Sequence, residues 1–102
     1  MKTLVINAPS NKVGKKSFGY VMQNRVGVGY IITPAQLAQL YQDCGAVVLD
    51  KTKKQRAEGI LYNWKPTKKA GNGQQRYNIY IKQLKPVAYK PERLNRNGVA
   101  VI

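Results

Sequence analysis

Between Lys51 and Lys85 the chain interleaves cations with aromatic and amide side chains, the mixture that contacts nucleic acid through phosphate and base together. Lys51, Lys53, Lys54 and Arg56 precede or open the apolar run Ala57–Trp64. Lys65, Lys68 and Lys69 follow it, and Arg76, Asn78, Tyr80 and Lys82 alternate along the next run, Arg76–Leu84. Lysine and arginine neutralise phosphates and hold a strand in register without reading its sequence. Tyrosine and tryptophan faces stack on bases, at roughly 1–3 kcal/mol per base.

The two runs flank a connector carrying Pro66 and Gly71-Asn72-Gly73, which predicts a long β-hairpin. Side chains of a strand alternate between faces. In the second run Tyr77, Ile79 and Ile81 share a face suited to a core, and Arg76, Asn78, Tyr80 and Lys82 share the other. The first run leaves two assignments open. Ile60, Tyr62 and Trp64 share one face and Ala57, Gly59, Leu61 and Asn63 the other. Trp64 is therefore either a packing residue near a barrel rim or, beside Tyr80, part of a stacking platform with Tyr62. The ordinary fate of such residues weighs against a binding role: large aromatics more often pack inside, and charge runs are usually solvated faces.

Other chemistries lack their residues. The chain has no histidine and a single cysteine, Cys44, so His-based triads, Cys cages and disulfides within the chain are excluded. No cofactor is expected. Its four acids are Asp43, Asp50, Glu58 and Glu92. Asp50 and Glu58 are the pair placed on adjacent strands, but a nuclease of the Asp…Glu-x-Lys type needs lysine where Ile60 stands. Glu58 is read instead as the neutraliser of Arg56 or Lys54. Gly14-Lys15-Lys16-Ser17 imitates a phosphate loop, yet Ala8 or Pro9 takes the place of the upstream glycine and a second lysine displaces the hydroxyl. Those lysines read as a solvated basic loop within reach of phosphate. A non-enzymatic protein is the expectation.

The elements that must carry the hairpin are legible in outline. Thr3–Ile6 reads as a first strand, Ser10–Ser17 as a loop, and Phe18–Met22 and Val26–Ile32 as strands. Gly27 and Gly29 mark a bulge or close backbone approach in the latter. Thr33-Pro34-Ala35-Gln36 forms a capping box with proline at the first helical position. Leu37, Leu40, Tyr41 and Cys44 then recur at helical spacing up to Gly45. This predicts one amphipathic helix of about three turns, near 34–44, with Cys44 buried on its apolar side. Ala46–Leu49 reads as a buried strand, Val87–Tyr89 as a short edge strand, and Val99–Ile102 as a final strand tied into the core.

A chain of 102 residues is one domain, 1–102, able to bury a modest core. The class predicted is α+β, mostly β: a small, partly open barrel or curved antiparallel sheet of five to seven strands with one helix. Eighteen Lys and Arg face four acids, for a net charge of +14. That imbalance raises affinity for polyanions. Residues 51–96 hold thirteen of the eighteen cations and two of the acids, so the charge is concentrated around the hairpin. No segment has the ~20 apolar residues of a membrane span, and the apolar run at the N-terminus is too short for a signal peptide. No membrane partner and a cytoplasmic protein are the expectation.

Gly45-Ala46-Val47-Val48-Leu49-Asp50, then Arg56-Ala57-Glu58-Gly59-Ile60-Leu61, then Gln75-Arg76-Tyr77-Asn78-Ile79-Tyr80-Ile81 resemble the PUA-like small barrels, the group of ASCH and EVE domains. The resemblance spans residues 45–90 and rests on the order of elements. It implies a pseudo-barrel that binds RNA or modified nucleic acid as an accessory module. The reading favours RNA or single-stranded nucleic acid over duplex DNA as partner. The other reading of the same charge is a protein-interaction module or small inhibitor that docks on an acidic protein or a ribonucleoprotein.

Overall fold

A computed structural model describes residues 2–11 and 14–102. Six strands form one curled sheet, a half-barrel in the order β2-β5-β4-β3-β1-β6. The strands are β1 (Thr3–Asn7), β2 (Val26–Ile31), β3 (Cys44–Asp50), β4 (Gln55–Lys69), β5 (Gln75–Val87) and β6 (Val99–Val101). The α+β, mostly β class holds, with two departures from expectation. The sheet is mixed, because β1 runs parallel to β3, and among the described residues there are two α-helices, α1 (Phe18–Asn24) and α2 (Pro34–Leu37).

Both departures have local causes. Phe18–Met22 consists of β-prone letters, but Phe18, Val21 and Met22 fall on one helical face and pack on the core. Ser17 caps the helix by accepting from the Tyr20 amide, and Arg25 closes it in a left-handed conformation. At α2 the capping box forms as the letters predict, with Thr33 and Gln36 bonded reciprocally. The helix nonetheless ends after one turn. Asp43 already donates its amide to the Leu61 carbonyl, and Cys44 pairs with Leu61 in the β3–β4 ladder. The sheet captures these residues, so Cys44 is buried as the first residue of β3 and Tyr41 is left exposed.

The main core lies on the concave face, where Leu4, Ile6, Ala46, Val48, Leu61, Ile79 and Ile81 meet Phe18 and Val21 of α1. A smaller cluster lies on the opposite face, where Val5, Val47 and Leu49 are covered by Tyr89, Leu94 and Ala100. Val87 is the last residue of β5, paired with Arg56, so no separate strand forms at Val87–Tyr89; residues 88 and 89 are irregular and Tyr89 packs across this face. β6 pairs antiparallel with β1, and Thr3 and Ile102 exchange backbone hydrogen bonds. Among the described residues, no helix is long and apolar enough to cross a membrane.

Candidate nucleic-acid interface

The 88–94 segment covers the convex face over β1 and β3 and, through Lys90 and Glu92, the start of β4 at Arg56; from Ile60 to Lys65 of β4 and across to Tyr80 and Lys82 of β5 that face is not covered by it. What stands on the uncovered part is decided by bulges. β4 pairs Leu61 with Ile81, Asn63 with Tyr80 and Trp64 with Ile79, so an extra residue, Tyr62, sits between Leu61 and Asn63. Simple alternation would keep Tyr62 and Trp64 together. The bulge parts them. Trp64, opposite buried Ile79, packs against the core, whereas Tyr62 is 40% exposed on the other side. Trp64 therefore leaves the stacking set, and the packing assignment is the correct one.

Tyr62 meets Tyr80 there, with ring centroids 6.3 Å apart and planes tilted by 49°. The Lys65 ammonium lies 5.6 Å from the centre of the Tyr80 ring, within cation–π range. Asn63 and Asn78 flank the pair, and Lys82 stands opposite Ile60. Lys82 bridges Asp43 at 3.0 Å, but both side chains are about half exposed, so the pair is weak and exchangeable. Tyr62, Lys65, Asn78, Tyr80 and Lys82 are the predicted residues that the fold brings together.

Others are separated from them. Lys53 and Lys54 lie in the exposed turn before β4, while Lys68 and Lys69 lie at its far end, fifteen residues along. The two lysine groups thus flank opposite ends of the sheet. Arg56 is not available to phosphate. Its side chain is 7% exposed; Nε donates to Glu58 at 2.9 Å, and Nη1 donates to Glu92 at 2.9 Å and to the Lys90 carbonyl at 2.8 Å. The expected partnership of Arg56 with Glu58 is present, and Glu92 is the partner that spacing does not reveal. Asp50 is buried, and its carboxylate accepts from the amides of Ser10, Thr52 and Lys53 and from Gln55 Nε2. Burial pushes its carboxyl upward, but these bonds outweigh burial and hold it below the usual aspartate value. Asp50 shapes the lysine turn.

Arg76 and Asn78 have a second task. β2 carries a bulge between Gly27 and Tyr30, where Gly29 adopts φ +73°, a conformation that favours glycine. Asn78 Oδ1 accepts from the Gly29 amide, and Arg76 Nη1 donates to the Gly29 carbonyl at 2.8 Å. Lys16 Nζ, from the 3-10 turn Gly14–Lys16, donates to the same carbonyl at 2.9 Å and to that of Val28 at 2.7 Å, and lies 4.8 Å from the centre of the Tyr30 ring. The Gly27/Gly29 bulge read from sequence is therefore real. That a lysine 13 residues away would clamp it has no sequence signal.

Beside this clamp, the open seam of the half-barrel forms a cleft of about 550 Å³, lined among others by Asn7, Lys16, Lys51, Arg76 and Arg96. Tyr30 spans the seam: its hydroxyl donates to the Asn7 carbonyl at 2.8 Å, and burial pushes its pKa up to about 12. Among the described residues, no cluster of His, Cys, Asp and Glu is suited to a metal ion. No family model, curated protein or solved structure significantly matches this chain.

Proposed function

We propose that this protein binds single-stranded nucleic acid, RNA foremost, through the convex face of the β4–β5 hairpin and catalyses no reaction on it. The observation that carries the reading is the Tyr62–Tyr80 pair with Lys65 beside it, on the part of that face the 88–94 segment does not cover. Two ring faces next to amides and an ammonium match what an unpaired base and its phosphate require. Lys82, Lys68 and Lys69 supply further phosphate contacts along and beyond the hairpin. The lysine turn at 51–54 extends the positive field at the other end. The resemblance to PUA-like barrels proposed for residues 45–90 would imply the same class of partner.

The test is a titration with single-stranded RNA, single-stranded DNA and duplex DNA of one sequence, at two salt concentrations. Single strands bind more tightly than the duplex, and affinity falls with salt. The Tyr62→Ala/Tyr80→Ala protein loses ~2–6 kcal/mol of single-strand affinity, two bases' worth of stacking, and keeps its salt slope. Unchanged affinity in that variant would remove the hairpin face from the interface. Retention of a protein partner, but no nucleic acid, after nuclease treatment would favour docking on an acidic protein.

A further inference from the structure

The seam cleft has a charge arrangement that the fold itself leaves unbalanced. Lys16 and Arg76 donate to one carbonyl oxygen, that of Gly29, so their charges lie within two hydrogen-bond lengths of each other. Lys51 and Arg96 line the same cleft. The four acidic side chains face other partners: Asp43 pairs loosely with Lys82, Glu58 and Glu92 bind Arg56, and Asp50 binds its turn. Among the described residues, none lines the cleft. Partial burial of the ammonium, and then the neighbouring Arg76, hold Lys16 below the usual lysine value, the response of a cation beside another without a counter-ion. Asn7 also lines the cleft, and its Oδ1 is buried without a hydrogen-bond partner.

The outward row of β5 runs Lys82, Tyr80, Asn78, Arg76, so the aromatic pair and the cleft share one strand. Tyr80 and Arg76 are about 13 Å apart at the rise of a β-strand, a span that a few nucleotides cover. A phosphodiester brings one negative charge, and a phosphate monoester close to two with three acceptor oxygens. Four converging cations in a pocket of nucleotide size suit the second.

We infer that the seam cleft holds a terminal phosphate monoester, that of a nucleic-acid strand whose neighbouring bases lie on the hairpin face, with Lys16 and Arg76 as the fixed donors and Lys51 and Arg96 as the closing ones. The inference rests on the nucleic-acid reading, and its test separates the two. Three single strands of one sequence are titrated at about 150 mM salt: 5′-phosphorylated, 3′-phosphorylated and unphosphorylated, with a nucleoside 5′-monophosphate as a fourth probe. The variant is Lys51→Ala/Arg96→Ala, which leaves the Gly29 clamp intact. One phosphorylated end binds about tenfold more tightly than the unphosphorylated strand; the variant weakens all three strands through the loss of Lys51 and abolishes the ratio between them. Tyr62→Ala/Tyr80→Ala weakens all three strands and keeps the preference. Equal binding of the three strands overturns the cleft assignment and leaves the hairpin reading standing. If no strand binds but the monophosphate does, and the variant abolishes this, the cleft is a site for free nucleotide and the hairpin reading fails. If nothing binds, both are overturned.

Discussion

A single side chain decides the chemistry at several points. Arg56 has the residue type of a phosphate contact and the environment of a structural ion. Removing it strands Glu92, which is 14% exposed, and releases the Lys90 carbonyl. Arg56→Ala is therefore expected to lose about 3 kcal/mol in urea unfolding, while the folded variant keeps its affinity for single strands. Asp50 offers a second check. Its folded-state pKa is depressed below the ~3.9 of an unfolded chain, so its contribution is present above about pH 4 and is lost as the pH falls through the folded-state value. Asp50→Asn is expected to cost about 1–3 kcal/mol at neutral pH, and thermal melts should show the gap from the wild-type protein closing below about pH 4. Residue roles were legible where they depend on neighbours in sequence, as for Glu58 with Arg56. They were illegible where the partner lies far along the chain. Glu92 is 36 residues from Arg56, and Lys16 is 60 from Arg76, the cation it faces.

Among the elements, the hairpin was legible and its register was not. Two apolar-aromatic runs around a Gly-Asn-Gly connector identify β4 and β5, but alternation along one strand knows nothing of an extra residue opposite its partner. The bulge at Tyr62 reverses which aromatic faces out. A second bulge, near Gln83, lies in β5, where φ is +56°. Gly59 lies against it: a Cβ there would stand 2.8 Å from the Lys82 carbonyl oxygen and 3.1 Å from Leu84 Cα, and backbone cannot move aside cheaply. Gly59→Ala is expected to cost about 1–3 kcal/mol of stability, read from denaturant midpoints, and to shift the amide resonances of Lys82–Leu84 first. The helices teach the same lesson. The capping box at Thr33 formed as its letters dictate, yet the length of α2 was set by Asp43 and Cys44 joining the β3–β4 ladder. Phe18–Met22 carried helical spacing beneath β-prone residue types, and the Ser17 cap was the signal that settles it.

The whole molecule places its charge at the margins of the sheet and reserves neutral packing for the concave face. Its net charge of +14 would draw any polyanion, so attraction alone identifies no partner. What discriminates is where the partner sits. The convex face over β1 and β3 is closed by Tyr89 and Leu94, whereas Tyr62 and Lys82 of the hairpin stand exposed. A backbone-amide NMR titration of the labelled protein with a short single-stranded RNA at about 150 mM salt locates the partner. The largest shifts are expected at Ile60–Lys65 and Arg76–Lys82, saturating together, with the concave core unmoved. Shifts confined to the 51–54 turn that vanish as salt is raised, or shifts centred away from the hairpin, would contradict the hairpin interface.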